Sequence, residues 1–348
     1  MKDLIKKTIH IGPVFGSGMG TVIQGYIKLL GLPKENAWNS HKENFVKSLP
    51  CLFSICIRIL LKKQKDIICF HIHLAERGSA LRKFIIGLCL KLANKKFLVH
   101  LHGADFQKEF SKTTLTRMLT KMLIKMSNAI ICITEDMKIF IEKENLNCRI
   151  FVISNLCETI AERPVDLENR NEDICIVYAG RYGERKGVYD LLAAFEKANF
   201  NAPVHLDLYG DGEVEKVKEI VAKSAKKHLI TVHGWTAHSE YIKRLPEYDF
   251  LVLPTYAEVF PMSILESMGF GIPVVSTYAG GIPEMIENNK TGILFEAGNI
   301  EKLTSILEKF SNDKNLRIEL GESAWKDAKA RFSPEIILEK LDNIYGSI

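Results

Sequence analysis

Short apolar runs alternate with longer amphipathic stretches along nearly the whole chain, and this constrains its fold more than any other feature. In the first half the strand candidates are residues 8–11, 67–73, 97–102, 129–133 and 151–153. In the second half they are residues 174–180, 205–209, 230–233, 250–253, 273–276 and 293–295. Runs that are apolar without strict alternation read as strands buried on both faces, the mark of parallel sheets covered by helices. At 348 residues the chain exceeds the size at which one core keeps growing, so two domains are expected. The polar, proline-containing segment 157–173 is the expected linker. The predicted architecture is α/β, two Rossmann-like domains whose parallel sheets face each other across a cleft. Residues 1–165 form the first, 166–330 the second, and 331–348 a C-terminal helix that can pack back on the first.

Charge is unevenly divided. Residues 1–150 hold 25 basic and 11 acidic side chains, a balance of +14; the remainder holds 22 and 31, a balance of −9. A strongly basic half suggests an anionic surface as partner: nucleic acid, a phosphorylated substrate or a membrane. Nucleic acid is disfavoured, because no aromatic interleaving or binding motif accompanies the charge. No run of 18 apolar residues is free of charge, so no membrane-crossing helix is expected. The first residues, MKDLIKKTIHIGPVFGSG, lack the apolar core and cleavage site of a secretory leader. None of the eight cysteines forms a CxxC pair, and several sit in apolar strand-like runs. They read as buried thiols in a reducing compartment.

Residues 254–281, PTYAEVFPMSILESMGFGIPVVSTYAGG, carry the densest functional signal. On one continuous helix Glu258 and Glu266 would stand about 12 Å apart. The paired carboxylates of a retaining glycosidase need about 5 Å. Pro261 favours a helix start near Phe260 and Pro261, which leaves Glu258 in the loop after a strand and Glu266 within the helix. Strand C-termini and the helix starts that follow them are where open α/β sheets bind ligands, and the N–H groups of Met262 and Ser263 can meet an anion. Gly280 and Gly281 follow the next strand and let backbone approach a ligand closely. In AGRYGERKG, Arg181 and Lys186 stand between a strand and an amphipathic helix, where they can hold a diphosphate. Fixed cations there would stabilise the charge that grows on a departing diphosphate.

Together AGRYGERKG, LYGDGE, VHGWT and the stretch from PTYAEVFP to LFEAGN resemble glycosyltransferase family 4, the nucleotide-sugar-dependent retaining enzymes of GT-B fold. The resemblance covers most of residues 174–310 in order and spacing. It implies that Arg181 and Lys186 bind the donor diphosphate, Glu258 contacts the donor sugar and Glu266 accepts hydrogen bonds from the ribose. The backbone of Phe260, Met262 and Ser263 would approach sugar and phosphates. Many members have glycine where this chain has Val259 and Pro261; the proline removes one backbone donor.

The first half matches through FGSGMG and HLHGAD. The glycine loop precedes a helical run and can receive phosphate. Its spacing is GxGxG, and no second strand stands before Glu35, so a dinucleotide cofactor is not expected. The resemblance implies that Gly18 and Gly20 face the donor and that His102 lies beside the donor sugar, with Asp105 a lesser cleft residue. His71 and His73, like His100 and His102, alternate on one strand face; without HExxH, DxD or a carboxylate cluster they read as hydrogen-bonded structural or cleft residues. Arg77, Arg82 and Lys83 are acceptor-side candidates. Lys112, Arg117, Lys121 and Lys125 form the basic face of a helix that could adhere to anionic lipid.

The expected function is a retaining glycosyltransferase, cytoplasmic and peripheral at the membrane. It moves a sugar from a nucleotide-sugar donor to a glycan or polyprenyl-linked acceptor in surface polysaccharide or glycolipid synthesis. No cofactor and no metal are expected. The alternatives are a nucleotide-sugar epimerase of related architecture and a non-catalytic nucleotide-sugar-binding protein.

Overall fold

A computed structural model describes residues 3–14, 18–30, 32–41, 45–61, 64, 66–74, 79–103, 106, 110, 114–170 and 173–348. Two units emerge, each built on its own six-stranded, wholly parallel sheet.

The first unit comprises Met1–Glu158 and Pro334–Ile348. Its strands are β1 (Thr8–Gly12), β2 (Ala37–Asn39), β3 (Cys69–Leu74), β4 (Phe97–Leu101), β5 (Ala129–Cys132) and β6 (Ile150–Val152), in the order β2-β1-β3-β4-β5-β6. Every residue of β1, β3, β4 and β5 is buried, as continuous apolar runs require. β2 escapes a pattern reading, since AWN is three residues with no run to detect. The helix Pro334–Ser347 packs on the short helix Asp3–Lys6, and Asp342 Oδ1 accepts from Ile5 N at 3.3 Å. The sequence places a loop over Gly18 and Gly20, whereas the helix already begins at Gly18 and runs to Leu30.

The second unit, Thr159–Ser333, has β7 (Ile174–Ala179), β8 (Val204–Tyr209), β9 (Ile230–Gly234), β10 (Phe250–Leu253), β11 (Val274–Thr277) and β12 (Ile293–Phe295), in the order β12-β11-β10-β7-β8-β9. Residues before β7 are already tied to this unit. Ala161 N donates to Gly269 O at 2.9 Å, Val165 N to Phe270 O at 2.8 Å, and Trp325 Nε1 to Ala161 O at 2.9 Å. The chain runs outward from β7 through β8 and β9, then returns to lay β10 on the other side of β7. That reversal of strand order opens a crevice beyond the C-terminal ends of β7 and β10, the place where such sheets bind ligands.

Candidate functional site

The loops leaving β7 and β10 are stitched together by backbone contacts. Tyr182 is buried, donates from its hydroxyl to Leu208 O at 2.6 Å, and so anchors the first loop to β8. A 3₁₀ turn, Glu184–Lys186, ends at Gly187 with φ 71°. A Cβ on Gly187 would stand 1.9 Å from Pro254 O, so only glycine lets the loops meet here. Arg185 O accepts from Thr255 Oγ1 at 3.0 Å and from Tyr256 N at 2.8 Å.

This stitching brings Lys186 Nζ onto the Glu258 carboxylate, both side chains being mostly buried. Burial, with Arg185 adding a like charge, pushes the Lys186 ammonium down to about 7. Arg181 is far more open and lies 3.7 Å from Asp211 Oδ2. A groove of about 610 Å³ runs over the loop, lined by Arg181, Gly183, Arg185, Lys186, Glu213 and Lys216 among others. Glu213 and Lys216 escaped the sequence reading, although Glu213 closes the LYGDGE motif.

The helix Met262–Phe270 starts one residue later than Pro261 suggested, with Pro261 itself as N-cap in extended conformation. No side chain caps this end, so the N–H groups of Met262 and Ser263 have no acceptor within the helix. Phe260 is buried, its ring edge-on to Phe332 at 5.4 Å, which pins the loop before the helix. Glu266 is also buried, and its Oε1 lies 2.7 Å from His238 Nε2. Sequence reasoning missed His238, two residues beyond the VHGWT motif and first in the helix His238–Arg244.

The glycine pair makes a close approach within the protein itself. Gly280 has φ 54°, and a Cβ there would lie 1.7 Å from Glu258 O. The close approach is therefore to the backbone of Glu258, which also accepts from Gly281 N at 3.4 Å. Pro283 then stands in the first turn of the helix Ile282–Met285. Arg181, Lys186, Glu258 and Gly280 thus belong to one construction at the ends of β7, β10 and β11.

In the first unit, five histidines from β1, β3 and the end of β4 share one sheet face. His10 Nδ1 lies 3.0 Å from His73 Nε2, and His73 Nδ1 lies 2.8 Å from His102 Nε2. A second chain links Tyr345 Oη to His71 Nδ1 at 2.6 Å and His71 Nε2 to His100 Nδ1 at 3.1 Å. Burial pushes His10 down to about 3, and burial followed by the nearby Lys83 does the same to His102. His71, His73 and His100 are lowered by burial first and by neighbouring histidines of the network, His10 and His102 included, second; for His100 the Ile153 backbone pulls the other way. All five are neutral at pH 7. His102 is the half-buried end of its chain.

The acceptor-side candidates separate. Lys83 is buried, its Nζ donating to Ile11 O at 2.8 Å and Ser40 Oγ at 2.6 Å, so it braces the fold and does not present a surface cation. Arg82 is buried too, with Nη2 3.2 Å from His41 Nδ1. Arg77, Asp105 and Lys112 lie outside the described residues. In the helix Thr114–Met126, Arg117 and Lys121 reach Glu144 at 3.2 and 2.6 Å, while Lys125 is exposed. Of its apolar residues Leu119, Leu123 and Ile124 face the core, but Leu115, Met118 and Met122 are exposed. Among the described residues no helix is long and apolar enough to cross a membrane.

Residues 160–327 match the family model of glycosyl transferases group 1. A glycosyltransferase of Methanocaldococcus jannaschii is 29% identical over 267 residues, 76% of this chain and 72% of its own length. The capsular polysaccharide biosynthesis glycosyltransferase CapM of Staphylococcus aureus is 24% identical over 182 residues, 51% of this chain and 47% of the relative. The chain therefore spans about half of that relative. The crystal structure of Anabaena HepE in complex with UDP and glucose superposes with a TM-score of 0.74 at 16% identity, over 98% of this chain and all of that one.

Proposed function

We propose that this chain, a glycosyltransferase of GT-B fold, transfers a sugar with retention from a nucleotide-sugar donor to a hydroxyl of a glycan or polyprenyl-linked acceptor. The reading places it in family 4 and in surface polysaccharide or glycolipid synthesis. The observation that carries it is the Lys186–Glu258 pair at the reversal of strand order, beside the uncapped helix start at Met262.

In this reading the donor diphosphate takes Lys186 from Glu258 and adds Arg181 and the N–H groups of Met262 and Ser263. Glu258, released from the ammonium, then accepts from sugar hydroxyls. Glu266, oriented by His238, accepts from the ribose. As the sugar leaves, charge grows on the diphosphate, and the fixed cations stabilise it more than they stabilise the bound donor. Arg181 and Lys186 supply this charge, and the transfer is assigned no metal. Departure and attack on one face give retention. His102, Gly18 and Gly20 are assigned to the donor's sugar side, with support from the family resemblance only.

Resemblance to CapM supports a capsule-type acceptor, and the UDP complex of HepE supports testing UDP-sugars first. The experiment is incubation with a panel of nucleotide sugars and lipid-linked acceptors, reading released nucleotide and a heavier lipid product. An epimerase would convert the donor without acceptor, and a binding protein would release no nucleotide; either result removes the proposal.

A membrane-facing surface is also proposed, on different grounds from the basic face. The helices Phe45–Leu61, Ser79–Leu92 and Thr114–Met126 are neighbours. They expose Phe53, Leu61, Leu92, Leu115 and Met118 at 50–78%. Apolar side chains in this number suit shallow insertion, with the +14 charge of this half drawing in anionic lipid. Replacing Phe53, Leu61 and Met118 by serine is expected to lower co-sedimentation with anionic vesicles at least fivefold. Lys121→Glu should act mainly by breaking the Glu144 contact. Unchanged sedimentation of the triple variant would remove the surface.

A further inference from the structure

The histidine network of the first unit is more than a set of paired polar groups. Two of its ring nitrogens, His10 Nε2 and His100 Nε2, are buried without a hydrogen bond. Such orphans are rare in folded proteins, and each calls for an explanation such as an unseen ion or water. The Ile153 carbonyl bears on the His100 ring electrostatically without completing a bond. Two groups of three histidines bring one ligand atom each within 4.8 Å of one another: His10, His71, His73 and His73, His100, His102.

Ring orientation separates these groups. His71 and His73 are stacked at 4.3 Å with planes 5° apart, so their in-plane lone pairs run parallel and cannot converge on one ion. In the second group the rings are tilted by 33–38°. Its spare valences also fit. His100 Nε2 is free, and His73 Nδ1 and His102 Nε2 already stand 2.8 Å apart. Three imidazole nitrogens on a tetrahedral zinc ion, each about 2.0–2.1 Å from it, stand about 3.3 Å apart, so this pair needs to open by roughly half an ångström.

The outer partners are in place. His73 Nε2 is held by His10 Nδ1, and His100 Nδ1 by His71 Nε2, which is held in turn by Tyr345. Metal-ligating histidines nearly always have the second nitrogen fixed in this way, which sets tautomer and ring angle. We propose that His73, His100 and His102 form a tri-histidine site for one Zn²⁺ ion, open at the half-buried His102. The absence of carboxylates from the set disfavours Mg²⁺ and Ca²⁺, and an all-imidazole set suits zinc. The fourth position, facing out from His102, is left for water or an anion. The ion is assigned no step in sugar transfer; because His102 is also assigned to the donor's sugar side, the site is tested by the spectrum of the bound ion and not by turnover.

Purified full-length protein, stripped with a chelator, is titrated with Co²⁺ and the visible d–d bands of a tetrahedral ion are followed. One equivalent should bind and be displaced by one equivalent of Zn²⁺. His100→Gln and His102→Gln should each abolish the bands, while His71→Gln weakens binding about 10–100-fold through the outer shell. His205→Gln, in the other unit, should leave them unchanged. His102 is half-buried, so its variant decides the matter even if His100→Gln fails to fold. No bands in the wild type, or undiminished bands in folded His102→Gln, would overturn the site.

Discussion

Replacing Lys186 by alanine is expected to lower kcat by about 10²–10³-fold, the loss seen when one preorganised donor to developing charge is removed. The basis is position. Lys186 is mostly buried, sits at the reversal of strand order, and meets the Glu258 carboxylate. Alanine also leaves the mostly buried Glu258 without its counter-charge. Thermal unfolding should therefore be followed alongside kinetics, to separate lost chemistry from lost fold. Lys186→Arg keeps the charge in a larger, planar group and should fall between the two. Full turnover in Lys186→Ala would remove the site assignment.

The same pair predicts a pH dependence whose sign is fixed. Burial brings the Lys186 ammonium down to about 7 from its ordinary value of 10.5, so the cation is present below that pH and lost above it. Nucleoside diphosphate affinity of the wild type should therefore fall as pH rises from 6 to 8, while Lys186→Arg, charged throughout, should show no such transition. Calorimetric titration across that range checks this; identical profiles for wild type and Lys186→Arg would sink it.

Both sheets were legible because buried parallel strands are written as apolar runs, and the eleven strand candidates all correspond to strands of the two sheets. β2 was not, because a three-residue strand carries no periodicity. Within the site, Arg181, Lys186, Glu258 and Glu266 could be read from motif position, since loops after strands are where ligands bind. Their partners could not. Glu266 finds His238 through a contact 28 residues apart in sequence, and no local pattern encodes that. Gly280 was visible as a glycine, but what it approaches depends on a loop that leaves a different strand. Lys83 and Arg117 show the opposite failure: a basic residue reads as surface until the fold supplies Ile11 O and Ser40 Oγ, or Glu144, as partners. The histidines alternate visibly within a strand, yet only the pairing of β1, β3 and β4 joins them into one network.

Gly280→Ala should cost almost as much activity as losing Lys186, without touching a charged group. Alanine at φ 54° pays about 1–2 kcal/mol for the left-handed backbone alone. Its Cβ would also fall 1.7 Å from Glu258 O, an overlap that only backbone movement can relieve. Crowding of that kind typically costs a further 1–3 kcal/mol. For a domain of this size the sum corresponds to a melting point lower by roughly 4–20 °C. The displaced loop carries Glu258, and a shift of about 1 Å in a positioning group can cost about 10²-fold in rate. Gly281 has φ −85°, which alanine adopts freely, so Gly281→Ala is the milder neighbour. If Gly280 acts through Glu258, the two losses are not additive: adding Glu258→Gln to Gly280→Ala should reduce kcat far less than it does in the wild type. Independent, multiplying effects would show that Gly280 supports the fold but does not place the carboxylate.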